Sequence, residues 1–156
     1  MKAFEDYFSD QGIEAKFDTR GIFTCILEPE AEKDVSLSMT AYSDIQARML
    51  RIAITANNEI PNNTPISFYR EIAEKAIKPL RGGVGVGIFE SENRVTVYQS
   101  LKISTLTKEL IEETINLLVE HIEEWDKKLL NAQKRSEKST VNTKTHAKNF
   151  NFTMKI

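Results

Sequence analysis

The chain has 156 residues, 40% hydrophobic and 28% charged, which is the length and usage of one globular domain with a single core. Its apolar runs are far too short to span a bilayer, and the opening Met-Lys-Ala-Phe-Glu-Asp-Tyr-Phe lacks the apolar stretch of a secretory signal. Residues 134–156 hold six Lys or Arg against one Glu, a surplus of +5, so with the whole chain at −2 the body 1–133 stands at −7. An acidic body whose only cationic cluster is terminal excludes a nucleic-acid-binding domain as the expected class and points to protein partners. Cys25 is the only cysteine, so an intramolecular disulfide is impossible and a cytoplasmic setting is expected.

Phe4, Tyr7 and Phe8 share one face at i, i+3 and i+4, and Gly12 follows where a left-handed cap belongs, which predicts a short first helix. Ile13, Ala15 and Phe17 alternate with Glu14 and Lys16. Asp18-Thr19-Arg20-Gly21 then supplies turn chemistry, and Ile22 to Leu27 is apolar and β-branched, so a hairpin of two strands is predicted. Glu28-Pro29-Glu30 breaks the pattern. Val35, Leu37, Met39 and Ala41 next alternate with polar neighbours, and Leu50, Ile52, Ile54 and Ala56 repeat the rhythm before Asn57-Asn58-Glu59-Ile60-Pro61.

Thr64-Pro65 offers an N-cap and a first-turn proline for a second helix that Pro79 ends. Its stripe of Ile66, Tyr69, Ala73, Ala76 and Leu80 is widened by Phe68, Ile72 and Ile77, a breadth that predicts burial on two sides. Val84, Val86 and Ile88 alternate with Gly85 and Gly87, and Val95, Val97, Leu101 and Ile103 run along a partner strand, with only Gln99 out of phase. Last comes a long amphipathic helix. Ile111, Ile115, Leu118, Ile122, Trp125 and Leu129 fall at alternating steps of four and three, and Leu106 and Ile111 bracket Thr107 as a hydrophobic staple around a capping hydroxyl. Beyond Asn131 the apolar density collapses into a composition expected to be disordered. The final Phe150, Phe152, Met154 and Ile156 nevertheless keep a strict period of two, which suits a strand added to a sheet edge.

The order α-β-β-β-β-α-β-β-α predicts an α+β fold, an antiparallel sheet of about five to six strands with three helices. One domain spans 1–133, and a basic, mostly polar tail spans 134–156, strand-like at 150–156. Candidate chemistry is sparse. The glycines after Arg81 follow a helix and enter a strand, the reverse of a phosphate-binding loop. His121 has no second His at four-residue spacing, and Cys25 has neither a second cysteine nor a setting that would favour its thiolate, so no metal site and no cofactor are expected. The paired acids Glu112-Glu113 and Glu123-Glu124 point to different parts of a helix surface and do not face each other across a cleft. A rival class is an enzyme or small-ligand protein whose polar residues, for example Tyr42, Tyr98, His121 and Arg81, meet only in three dimensions.

The pattern resembles the type III secretion chaperones of the Tir-chaperone, CesT-like family over about residues 1–133. The resemblance rests on the short opening helix, the strand end Ile54-Thr55-Ala56-Asn57-Asn58-Glu59-Ile60-Pro61, the helix over 66–80 and the Gly-rich strand 83–90. It continues in the strand 94–103 and the closing Glu124-Trp125-Asp126-Lys127-Lys128-Leu129. YbjN-like proteins are similar too, chiefly over Val95-Thr96-Val97-Tyr98-Gln99-Ser100-Leu101, and would make the chain a regulator or a subunit of a complex. The chaperone resemblance implies a small acidic homodimer, not an enzyme, that keeps a segment of a client protein such as a secreted effector extended along its surface. It places client contact at Phe4, Phe8, Ile22, Phe23, Leu37 and Met39. The dimer contact falls at Val84, Val86, Ile88, Val95, Val97 and Ile72.

Overall fold

The computed structural model describes residues 1–27, 37–89 and 91–146, with side chains placed through residue 134. Helix α1 (Lys2–Asp10) is followed by strands β1 (Ile22–Leu27), β2 (Leu37–Asp44) and β3 (Met49–Glu59). Helix α2 (Ile66–Ala76), a 3₁₀ turn (Lys78–Arg81), strands β4 (Gly85–Phe89) and β5 (Arg94–Lys102), a second 3₁₀ turn (Ile103–Thr105) and helix α3 (Lys108–His146) complete the described residues. The five strands form one antiparallel sheet in the order β1-β2-β3-β5-β4, the α+β architecture expected. Helix α3 lies across β3 and β5, α1 rests beside it, and α2 packs along β4.

Alternation decides which side chains face the helices. Leu37, Met39 and Ala41, Leu50, Ile52, Ile54 and Ala56, and Val95, Val97 and Leu101 all turn inward and are buried, as their period of two requires. All six residues of the α3 seam are buried against them. Thr107 caps that helix as its position predicts: its Oγ1 accepts a hydrogen bond from the Leu110 amide at 3.1 Å. Gln99 also falls on the inner face, half-buried, and its Oε1 has no hydrogen-bond partner.

Four expectations are corrected. Residues 13–17 form no strand, because Phe17 turns inward to stack on Phe4 and Phe23, with ring centroids 5.4 and 6.1 Å away. That aromatic cluster, in which Phe8 also meets Phe4 at 4.8 Å and Phe23 at 5.2 Å, fastens α1 to β1 and pulls the preceding segment out of any ladder. Three strands therefore precede α2, where the alternation had predicted four.

The cap of α2 is the second correction: the helix starts at Ile66 after an extended Pro65, and the Thr64 hydroxyl is buried without a partner. Third, α2 ends at Ala76 and Pro79 opens the following 3₁₀ turn, because the ring fits a first turn but not a helix interior. Fourth, α3 runs past Asn131 to His146. Gln, Lys, Arg and Glu are good helix formers, and extending an existing helix needs no new nucleus. The strand-like end 150–156 lies outside the described residues.

Glycines act at two points. Gly12 takes the left-handed φ of 76° that stops α1, and its neighbour Ile13 donates its amide back to the Phe8 carbonyl at 2.9 Å. Gly85 lets the Tyr98 ring and Pro79 close over β4: a Cβ there would meet the ring and stand 2.6 Å from Pro79 Cγ. Gly85→Val should cost about 1–3 kcal/mol by overpacking, read as a lower urea midpoint at unchanged slope. The same substitution at Gly87, which has open space around it, should cost less than at Gly85.

Candidate protein-binding surfaces

Strand β1 pairs only with β2, so its outer edge carries backbone groups that no other described strand satisfies. Ile26 on this strand is 56% exposed. Ahead of β1 in the chain, α1 and residues 12–17 form an open groove of about 810 Å³ lined by Glu5, Asp6, Ser9, Ile13, Glu14, Ala15, Lys16 and Phe17. Asp18 ties this segment to β1, its carboxylate accepting the Arg20 and Ile22 amides at 2.8 Å each, which holds its pKa below the ordinary aspartate value. The groove is acidic at its rim and apolar along its floor.

A second surface lies on α2. Phe68 and Ile72 point into the core, while Ile66 (75% exposed), Ile77 (61%) and Leu80 (88%) point out. Ile66 and, just past the helix end, Ile77 are three turns apart and share a face with Ala73 and the exposed Arg70, so the outward side of α2 carries exposed apolar side chains interrupted by charge. The two-sided stripe read from the sequence is thus half core and half surface.

Behind α2, Trp125 anchors the helix layer. Phe68 meets its ring edge-on at 5.6 Å, and Lys75 and Lys128 stand over it with Nζ 5.4 and 4.7 Å from the centroid. Both lysines share Glu71, at 3.1 and 2.6 Å. The Lys128 hydrogen bond and then that of Lys75 hold the Glu71 carboxyl below its ordinary value of 4.5, and Glu71 raises Lys128. A depressed carboxylate stabilises the fold above its unfolded pKa and loses that contribution as pH falls through the folded one. Glu71→Gln should therefore lower stability at pH 7, by under about 1 kcal/mol because the groups are a third exposed, and have no effect once pH falls well below 4.5. Urea midpoints at pH 7 and pH 3 check this. The elevated Lys128 sets the opposite limb, lost only as pH rises beyond 10.5.

Of the expected client residues, Phe4, Phe8, Phe23, Leu37 and Met39 are buried in this chain's own core, and Ile22 is half-buried. Of the expected dimer residues, Val86, Val95, Val97 and Ile72 are likewise core, Val84 is half-buried and Ile88 is 38% exposed. Strong apolarity at regular spacing finds the inner face of an element. Ile66 and Leu80 belong to the main stripe read from the sequence and Ile77 to its widening, so that stripe did not separate them from the buried Phe68 and Ile72.

Tyr42, Tyr98, His121 and Arg81 are not brought together. Tyr98 reaches the Ala76 carbonyl at 3.4 Å on the sheet's outer face, whereas His121 sits on α3 across the sheet, 3.6 Å from Glu124. Burial raises the Cys25 thiol, which disfavours the thiolate. Among the described residues no three His, Cys, Asp or Glu side chains group as a metal site would, and no helix is long and apolar enough to cross a membrane.

This arrangement, an antiparallel five-stranded sheet carrying three helices, is shared with solved chains of chaperone–effector complexes. The chain is similar to a chain of the HopA1–SchA chaperone–effector complex at a TM-score of 0.61 and 19% identity, over 80% of this chain and 90% of that one. It is similar to a chain of the ExsC–ExsE complex at 0.66 and 17%, over 82% and 91%. No family model and no curated protein matches the sequence. The secretion-chaperone resemblance is therefore met in fold, and these neighbours lend nothing to the YbjN-like alternative.

Proposed function

We propose that the chain is a non-enzymatic, cytoplasmic protein-binding chaperone of the type III secretion kind, which holds a client segment in extended form. The observation that carries this reading is the outer edge of β1, which pairs with no described strand beyond the Asp18 bonds to Ile22, in a domain whose α1 and residues 12–17 form an open groove. An extended client strand added there gains main-chain hydrogen bonds from the edge and side-chain contacts from the groove, which offset the cost of ordering it. The fold shared with a chain of a chaperone–effector complex supports the same reading.

The client is to be recovered with the chain from native cytosol, identified, and its complex followed by hydrogen exchange. The reading expects slowed exchange at the outward amides of β1 and over one continuous client segment that exchanges freely when the client is alone. A client docked as a folded domain, or protection confined to other elements, would defeat it.

The chain works as a homodimer in this reading, through the outward side of α2 and not through the buried valines of β4 and β5. Exposed apolar side chains grouped in this way are poorly tolerated on monomers, and a second copy covers both sets at once by two-fold symmetry.

A further inference from the structure

The groove of α1 and residues 12–17 has chemistry that matches one other part of the same chain. Its rim presents Glu5, Asp6 and Glu14, and its one lysine, Lys16, is already paired with Glu14 at 2.7 Å. Its floor is Ile13, Ala15 and Phe17, on a backbone that joins no ladder and turns at Ala15, where the Lys16 amide donates to the Glu14 carbonyl at 3.1 Å. Residues 147–156 carry Lys148 and Lys155 with no acidic side chain, and between these lysines Phe150, Phe152 and Met154 recur at every second position, with Ile156 continuing the period.

We propose that, when no client is bound, the segment 150–156 of a second copy of this chain occupies that groove in extended form. Its apolar row lies along the floor and its lysines against the acidic rim. This rests on the groove being the peptide-receiving site, and it makes the tail a competitor of the client.

Reach decides between the chain's own groove and a neighbour's. Lys108, at the start of α3, donates to Asp10 at the end of α1 at 2.6 Å, so the groove lies at the N-terminal end of α3. The tail leaves α3 after His146, the far end of a 39-residue helix and about 58 Å away. Residues 147–149, the only link left once 150–156 is seated, span about 10 Å. A chain cannot fill its own groove, but a second copy can.

The test uses full-length protein. One preparation carries Cys25→Ser and Asn149→Cys with a nitroxide label on the new thiol; it is mixed with ¹⁵N-labelled unsubstituted chain. The proposal expects broadening of the amides of Ser9 and residues 12–17 in the ¹⁵N chain. The broadening should be lost when the nitroxide chain also carries Phe150→Ser and Phe152→Ser, and weakened by high salt. A synthetic peptide of residues 147–156, titrated into full-length Phe150→Ser/Phe152→Ser chain, should shift the same amides. Absence of broadening at these amides, broadening that survives the two serines, or peptide shifts elsewhere would overturn it. If the chain captures its client but the nitroxide chain with an unsubstituted Phe150 and Phe152 gives no broadening at the groove, the tail proposal fails and the chaperone reading stands.

Discussion

Trp125→Ala should lower the unfolding free energy by about 3–5 kcal/mol, a large share of a domain's usual 5–15. The indole, on α3, is 3% exposed and packs against Phe68 of α2, which itself lies along β4. Truncation removes its own burial and leaves a cavity against Phe68, whose ring loses an edge-on partner at 5.6 Å. It also strips the surface under Lys75 and Lys128, whose ammonium groups would then be held by Glu71 alone. Trp125→Phe keeps a ring for Phe68 and should cost clearly less. Urea unfolding of the two variants checks the ordering, and an alanine variant as stable as the phenylalanine one would show that the aromatic contact carries little.

That anchor was legible in the sequence because a helix seam is a periodic signal. Ile111, Ile115, Leu118, Ile122, Trp125 and Leu129 are spaced as one face of a helix and are buried as one face. The sheet was legible for the same reason at period two, with Gln99 visible as the misfit that the structure leaves with an unpartnered oxygen. Residues 13–17 misled because their alternation is genuine, but pairing depends on where Phe17 gains most. Stacking on Phe4 and Phe23 outweighed a ladder that local sequence alone suggested. The extent of α3 was hidden because composition reports the absence of apolar burial, not the helix-forming capacity of the polar residues.

The candidate surfaces were harder to read than the core. The client residues implied by the resemblance are apolar residues of α1, β1 and β2, and the structure buries most of them within the chain. What those elements offer a partner is backbone, the outer edge of β1, and the groove ahead of it in the chain, and neither leaves a side-chain signature. An edge strand becomes visible only when the order of the sheet is known.

Ile77→Asp combined with Leu80→Asp should convert the proposed dimer to monomer while leaving the chain folded, at a cost of under about 1 kcal/mol from the carboxylate after the C-terminus of α2. Both side chains are largely exposed in the single chain, at 61% and 88%, so replacing them removes little intrachain packing. In a two-fold interface each substitution counts twice, and four carboxylates would then have to be desolvated against an apolar surface and against one another. The loss exceeds what a contact of standard size can absorb, so the dimer population at micromolar concentration should fall at least tenfold. Light scattering on size-exclusion peaks gives the mass, and circular dichroism with urea unfolding confirms the fold. A control at Ile72→Ala, on the inner side of α2, should behave oppositely: it loses about 2–5 kcal/mol of stability through a core cavity, and its dimer contact face is left chemically unchanged. A double aspartate variant that stays dimeric would move the interface off α2.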